Sequence, residues 1–113
     1  MPFDRDVDRL EDIREAIELA KQFISGTYDE FAQDTKTIFA VVRCLEIISE
    51  ASRRVDQGFK DRHPDLPWVQ IAAAGNVYRH GYRIVRTDIV WETVQKALPP
   101  LLEAIEAELG PAP

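Results

Sequence analysis

The apolar residues in the first part of the chain step by three and four positions, which places them on one face of a helix. These residues are Leu10, Ile13, Ile17, Ala20 and Ile24. We expect this helix to begin near Asp6 or Asp8, because a short carboxylate can cap its free amides. Ser25 and Gly26 follow the stripe and end the helix.

A second and longer helix is predicted from Thr27 to about Val55. Thr27 is followed three residues later by Glu30, which is the spacing of a capping box. The apolar positions cover more than one narrow stripe, so this helix should pack on neighbours from two sides. They are Phe31, Ile38, Phe39, Val41, Val42, Leu45, Ile47 and Ile48. The surplus apolar face is a candidate dimer interface.

The middle of the chain predicts the longest loop and a third helix. Gly58 and two prolines lie among charged residues in the segment 56–67, which is typical of a loop. The second of these prolines, Pro67, suits the first turn of a helix. We predict a third helix from Pro67 to about His80, ended by Gly81.

The last part predicts a fourth helix that begins at Thr87 or Asp88. Pro99 and Pro100 should break or sharply kink it. Residues 101–109 are then a short last helix or the bent continuation of the fourth. Since the connections are short, the predicted fold is all-α: an up-and-down antiparallel bundle of four main helices plus a short C-terminal helix, as a dimer.

Composition and charge narrow the function without defining it. A chain of 113 residues with 45% hydrophobic residues is predicted to form one domain, residues 1–113, with one core. Its net charge of −6 argues against sequence-blind coating of nucleic acid. Residues 53–86, however, carry seven basic and three acidic side chains. Such a region can bind a phosphate chain or pair with the protein's own carboxylates, and charge alone leaves both interpretations open.

Several classes of site find no support. The apolar runs are too short to span a bilayer, and the acidic first residues lack the basic region of a signal peptide, so we expect a cytoplasmic protein without a membrane segment. The lone Cys44 offers neither a disulfide framework nor a metal site. There is no glycine-rich phosphate loop and no nucleophile elbow. The sequence therefore predicts no cofactor and no metal.

The segment 71–83 carries the candidate chemistry. On the predicted third helix Asn76 and His80 lie one turn apart on the same face, and Tyr82 follows just past the helix end. An imidazole can take and give a proton near neutral pH, and a nearby guanidinium can stabilise an anionic phosphorane. Such a set can cleave RNA through its own 2′-hydroxyl without a metal. Alternatively, His80 caps carbonyl groups at the helix end and Tyr82 packs against the bundle.

Two carboxylates of the second helix are also open to two interpretations. Glu46 and Glu50 lie one turn apart. They either orient the basic groups of the site or form part of a solvated helix face.

Five segments, in this order and spacing, resemble the HepT-like toxins of the HEPN superfamily. They are residues 9–13, 45–51, 63–68, 76–82 and 88–94. The resemblance runs from Asp8 to about Leu102. It implies a helical homodimer with an RNase site near the dimer interface. It also implies a partner encoded beside it, a nucleotidyltransferase antitoxin of the MNT type.

The motif of that family is an Arg, usually an Asn, three variable residues, a His, one residue and a Tyr. The Asn, His and Tyr match Asn76, His80 and Tyr82, whereas Gly75 occupies the position of the Arg. In the family the Arg and the His are taken as the catalytic pair. Arg79 lies four residues after Gly75, so on a helix its guanidinium could reach roughly the same space.

The resemblance also implies a means of control. Tyr82 matches the tyrosine that antitoxins of this family are understood to modify with AMP. Arg83 and Arg86 lie close by in the sequence and could hold the incoming phosphates or those of RNA. Three accounts follow: an RNase toxin using Arg79 and His80, an inactive binding or regulatory subunit of a nucleotidyltransferase complex, and a purely structural dimeric bundle.

Overall fold

Three long helical segments form the body of the protein in the computed structural model, which describes residues 4–79 and 84–110. They are α1 (Asp4–Phe23), α3 (Thr35–Arg54) and a C-terminal rod made of α6 (Thr87–Glu92), a π-helical segment (Thr93–Ala97) and α7 (Leu98–Leu109). Shorter elements connect them: α2 (Tyr28–Ala32), α4 (Gln57–Arg62), α5 (Trp68–Ala72), and the two-residue strands β1 (Tyr78–Arg79) and β2 (Ile84–Val85). The predicted all-α class is confirmed.

The contacts at the start of α1 give the direction of the long helices. The guanidinium of Arg9 donates a hydrogen bond to the carbonyl of Arg54, at the end of α3. That of Arg14 donates to the carbonyl of Gly110, just past α7, at 2.8 Å. Both α3 and the rod therefore run antiparallel to α1.

The chain must return along the bundle between α3 and the rod, and only part of this return is helical. Arg62 of α4 pairs with Glu108 of α7 at 2.7 Å, at the end of the bundle where α3 stops. The hydroxyl groups of Tyr28 and Thr87 lie 3.0 Å apart at the opposite end. Between these ends the chain passes through α5, a turn and β1.

The predicted third helix, from Pro67 to His80, is wrong beyond Ala72. Residues 73–75 form a turn, and the backbone N–H of Asn76 donates to the carbonyl of Ala73 at 2.9 Å. β1 then pairs antiparallel with β2, with Tyr78 opposite Val85. The backbone groups of this segment thus find partners outside a helix, which removes the helical placement of Asn76.

The predicted second helix is divided. Thr27 and Glu30 form the expected capping box, but it begins only the five-residue helix α2. Asp34 then caps α3, because its carboxylate accepts a hydrogen bond from the backbone N–H of Thr37 at 3.1 Å. The break at residues 33–34 replaces one predicted helix by two.

Pro99 and Pro100 do not break the C-terminal helix. They occupy the first turn of α7, where a proline removes no hydrogen bond that the helix needs. The preceding π-helical segment lets the N–H of Leu98 bond to the carbonyl of Thr93. The rod therefore continues from Thr87 to Leu109, so residues 101–109 continue the fourth helix rather than form a separate one.

The core lies between α1, α3 and the rod. Its largest fully buried side chains include Ile17 of α1, Leu45 and Ile48 of α3, and Leu101 and Ile105 of α7. Of the helices in the described ranges, none is both long enough and apolar enough to cross a membrane. The predicted stripe of α1 is confirmed, since Leu10, Ile13, Ile17 and Ala20 are all buried.

Candidate functional site

The turn after α5 is held against α3 by one buried hydroxyl. Ser49 is 2% exposed, and its Oγ donates to the carbonyl of Ile71 at 3.2 Å. The same oxygen accepts a hydrogen bond from the backbone N–H of Gly75 at 2.8 Å. Ser49 therefore ties together the last helical residues of α5 and the first residue of the 75–82 motif.

Gly75 lies close against the backbone of α3. A Cβ at this position would lie 3.2 Å from Cα and 3.3 Å from Cγ of Glu46, and 3.4 Å from Oγ of Ser49. The nearest of these atoms belongs to a helix backbone, which cannot move without shifting α3 or the turn. A side chain at this position, which holds an Arg in the resembling family, would therefore require α3 or the turn to shift by a few tenths of an ångström.

A polar cleft of about 720 Å³ opens beside this turn. One wall comes from α3 and the other from the turn and β1. The lining residues are Arg43, Glu46, Ser49, Glu50, Arg53, Gly75, Asn76 and Tyr78. We refer to this set as the Asn76 cleft.

A second cleft of about 390 Å³ adjoins the first along α3. Arg43, Glu46 and Glu50 line both clefts. The additional lining residues are Asp8, Arg9, Asp12, Ile47, Ala51 and Arg54. The two clefts together follow the exposed face of α3 towards the start of α1, and we call the second one the Arg9 cleft.

The guanidinium groups of the Asn76 cleft differ in how firmly they are held. Arg53 donates to the carbonyl of Ala72 at 2.7 Å and lies 3.5 Å from the carboxylate of Glu50. Arg43 lies 3.6 Å from the carboxylate of Glu46, and its side chain is 70% exposed. Arg53 therefore helps to fasten the turn, whereas Arg43 projects into the mouth of the cleft.

Glu46 and Glu50 both line the Asn76 cleft, and each pairs with at least one arginine of α3. Glu50 also pairs with Arg54, at 2.8 Å. Each carboxylate thus lines a cleft and contacts arginines of its own helix. Because these side chains are partly exposed, each pair is worth only about 0.2–1 kcal/mol and exchanges readily with other ions.

Two of the predicted site residues have side chains in the described part of the chain. Asn76 is exposed and lines the cleft. Arg86 is not among the lining residues. Its guanidinium donates two hydrogen bonds to the carboxylate of Asp88, of 3.2 Å and 3.1 Å. These bonds raise the pKa of Arg86 and lower the pKa of Asp88.

For the other four predicted site residues the structure describes at most the backbone. His80, Tyr82 and Arg83 lie outside the described residues. Arg79 is placed by its backbone at the end of β1. The argument that Arg79 shares a helical face with Gly75 is wrong, because residues 73–79 form a turn and a strand. Whether Arg79 takes part in cleavage stays a prediction.

The sequence analysis missed Arg43, Arg53 and Ser49. A signal for the arginines was present, since Arg43, Glu46, Glu50 and Arg53 follow one another at helical spacing. Ser49 was signalled by a hydroxyl directly after the apolar pair Ile47 and Ile48. Within residues 4–79 and 84–110, no group of His, Cys, Asp or Glu side chains is placed to hold a metal ion.

The fold and the site define a helical bundle with an arginine- and carboxylate-lined cleft at the turn that leads into the 76–82 motif. Residues 13–108 match the family model described as Ribonuclease HepT-like. The chain therefore belongs to the HepT-like ribonuclease family, and the resemblance inferred from the sequence is confirmed.

Relatives of known name agree with this assignment. A probable ribonuclease HepT of Thermococcus cleftensis is 43% identical over 95 residues, which cover 83% of this chain and 86% of the relative. A putative RNase of Methanocaldococcus jannaschii is 31% identical over 99 residues, 88% of each chain. A putative RNase of Caldanaerobacter subterraneus is 33% identical over 98 residues, 86% of this chain and 88% of the relative. No solved structure matches this chain significantly.

Proposed function

We propose that this protein is a metal-independent endoribonuclease and the toxin of a toxin-antitoxin pair, which cleaves RNA in the Asn76 cleft. The observation that carries the proposal is the course of the chain through the cleft. Asn76 and Tyr78 line it opposite the arginines of α3, and the same strand leads directly into His80. Membership of a ribonuclease family supports RNA as the substrate.

In the proposed reaction His80 acts as the proton carrier. Its imidazole takes the proton of a ribose 2′-hydroxyl, and the 2′-oxygen attacks the adjacent phosphorus. The bond from phosphorus to the 5′-oxygen breaks, and that oxygen receives the proton. The products are a 2′,3′-cyclic phosphate and a free 5′-hydroxyl. Asn76 and Arg79 are proposed to stabilise the negative charge of the phosphorane by hydrogen bonding.

The two histidines of the chain allow a matched test of this role. His80→Ala should abolish cleavage, whereas His63→Ala should retain it, because His63 stacks on Phe59 and faces Glu108. Cleavage of labelled RNA is followed by gel, with circular dichroism as the measure of helical content. Arg79→Ala should also abolish cleavage if Arg79 supplies the guanidinium of the catalytic pair. Full cleavage by His80→Ala would refute the proposal.

A second candidate function is favoured by Gly75. Since glycine replaces the family Arg at this position, the protein could serve as an inactive binding or regulatory subunit of a nucleotidyltransferase complex. That account requires a tight complex and no cleavage of any RNA by the wild-type protein. Cleavage that depends on His80 would exclude it.

For the toxin we propose inhibition by a nucleotidyltransferase antitoxin that transfers AMP to Tyr82, with Arg83 and Arg86 holding the phosphates of the incoming nucleotide. An AMP group beside His80 would block an RNA phosphate by its volume and its charge. We expect both proteins to act in the cytoplasm.

The modification is tested by incubating the protein with its neighbouring nucleotidyltransferase, ATP and magnesium, and measuring the intact mass. Tyr82→Phe should lose the added AMP mass, and Tyr78→Phe, four residues earlier, should retain it. A stable complex without added mass would mean that the partner inhibits by binding alone.

A further inference from the structure

Because this chain lacks the Arg of the family motif, another cation is needed to bind the RNA phosphate. Position 75 does not supply it, because the residue there is a glycine packed against α3. The side chains that line the two adjoining clefts include four arginines, all from α1 and α3. They are Arg9, Arg43, Arg53 and Arg54.

Three of these four arginines are engaged in contacts within the bundle. Arg9 donates to the carbonyl of Arg54 and is 30% exposed. Arg53 donates to the carbonyl of Ala72 at 2.7 Å. Arg54 contacts the carboxylate of Glu50 at 2.8 Å. Moving any of them to a ligand would break a contact of hydrogen-bonding length.

Arg43 differs from these three arginines in the length of its contact and in its exposure. Its ion pair with Glu46 is 3.6 Å long, which exceeds a hydrogen bond, and its side chain is the most exposed of the four. It also lines both clefts, so it lies where a strand that occupies them would pass. A guanidinium has five N–H donors in a planar fork, so Arg43 can offer one edge to a phosphate and keep the other towards Glu46.

We infer that Arg43 binds the backbone phosphate of the RNA strand in the Asn76 cleft, in place of a side chain at position 75. This inference rests on the proposed function for its ligand, RNA. Arg43 thus adds a guanidinium from the opposite wall of the cleft to the one that Arg79 is proposed to supply. Glu46 holds Arg43 in the absence of RNA and competes with the phosphate for it.

The test measures binding of a single-stranded oligonucleotide with 2′-O-methyl groups, which cannot be cleaved because the attacking hydroxyl is blocked. Arg43→Gln should weaken binding at low salt by about tenfold, as expected for one charged hydrogen-bonded contact. The slope of log affinity against log salt concentration should decrease by about 0.7, the value for one phosphate contact to a single strand.

Two further variants separate a phosphate contact from a structural role. Glu46→Gln keeps the shape of the side chain that packs on Gly75 but removes the competing charge, so RNA should bind several-fold more tightly. Lys96→Gln is the matched control. It removes an equally exposed cation, 77% against 70%, which is paired with Glu92 and lines neither cleft. It should leave the affinity and the slope unchanged.

The outcomes distinguish this inference from the proposed function. If Arg43→Gln binds as the wild type does, or if Lys96→Gln loses as much affinity, the inference is overturned even when the wild type cleaves RNA. If Arg43→Gln and Glu46→Gln change affinity in opposite directions while the wild type cleaves no RNA, the inference holds and the RNase proposal fails.

Discussion

The backbone N–H of Gly75 donates a hydrogen bond of 2.8 Å to the hydroxyl of Ser49, 26 residues earlier in the chain. This contact joins the turn after α5 to the middle of α3. It brings the turn so close that a Cβ at position 75 would lie 3.2 Å from Cα of Glu46. The cleft that carries Asn76 on one wall and Arg43 on the other depends on this approach.

We expect Ser49→Ala to destabilise the protein by about 1–3 kcal/mol, because the N–H of Gly75 loses its partner and the carbonyl of Ile71 keeps only the hydrogen bond from Ala74. RNA binding should weaken as the turn is released. Urea unfolding and oligonucleotide binding measure the two effects.

Ser52→Ala is the matched control for Ser49. Its hydroxyl is equally buried but donates to the carbonyl of Ser49 within its own helix, at 2.9 Å. We expect it to cost less than about 1 kcal/mol and to leave RNA binding unchanged. Equal loss of RNA binding in both variants would show that the Ser49 contact has no special part in the site.

Placing the family Arg at position 75 should not increase RNA cleavage. Gly75→Arg adds a Cβ against the backbone of Glu46, and we expect a loss of about 1–3 kcal/mol in the free energy of unfolding. Ala73→Arg adds the same charge at an exposed position of the same turn and should be nearly neutral. If Gly75→Arg were as stable as the wild type and cleaved RNA faster, the steric conflict expected between position 75 and α3 would be refuted.

The proposed homodimer is expected to use the exposed face of α3. Phe39 is 55% exposed on this helix, four residues before Arg43, so it lies on the face that borders the clefts. Phe39→Glu should convert a dimer to a monomer at micromolar concentration, as measured by light scattering. Val69→Glu, at an 80% exposed apolar residue of α5, should remain dimeric. A monomeric wild type would remove the dimer proposal.

The pair between Arg62 and Glu108 should make stability depend on pH. The hydrogen bond from Arg62, at 2.7 Å, lowers the pKa of the Glu108 carboxyl below its ordinary value of 4.5. Its contribution is therefore fully present above pH 4.5 and is lost as the pH falls through the lowered pKa.

Glu108→Gln should accordingly be less stable than the wild type at pH 7, and the difference should vanish in acid. Thermal unfolding across this range measures it. Glu103→Gln, at an exposed position of the same helix, should show a smaller difference at every pH. A difference for Glu108→Gln that stayed constant into acid would contradict the assigned ion pair.

Features that depend on neighbours within one or two helical turns could be predicted. The stripe from Leu10 to Ala20 is buried as expected, because the period of its apolar residues alone places them on one face. The capping box of Thr27 and Glu30 forms because both partners lie within four residues. The family motif could also be matched, since it is a linear pattern.

Features that depend on contacts between distant segments could not be predicted from the sequence. By its sequence, an apolar, alanine-rich segment such as 71–74 can continue a helix as well as end one. In the structure α5 ends here, where the hydroxyl of Ser49 binds the carbonyl of Ile71 and the N–H of Gly75. Beyond Ala74 the backbone takes its partners from Ser49, from the turn and from β2 rather than from a continued helix. Arg43 and Asn76 share a cleft for the same reason, since 33 positions separate them in the sequence and no local period relates them. Local hydrogen bonding and periodicity specify the helices, whereas long-range packing against α3 specifies the site.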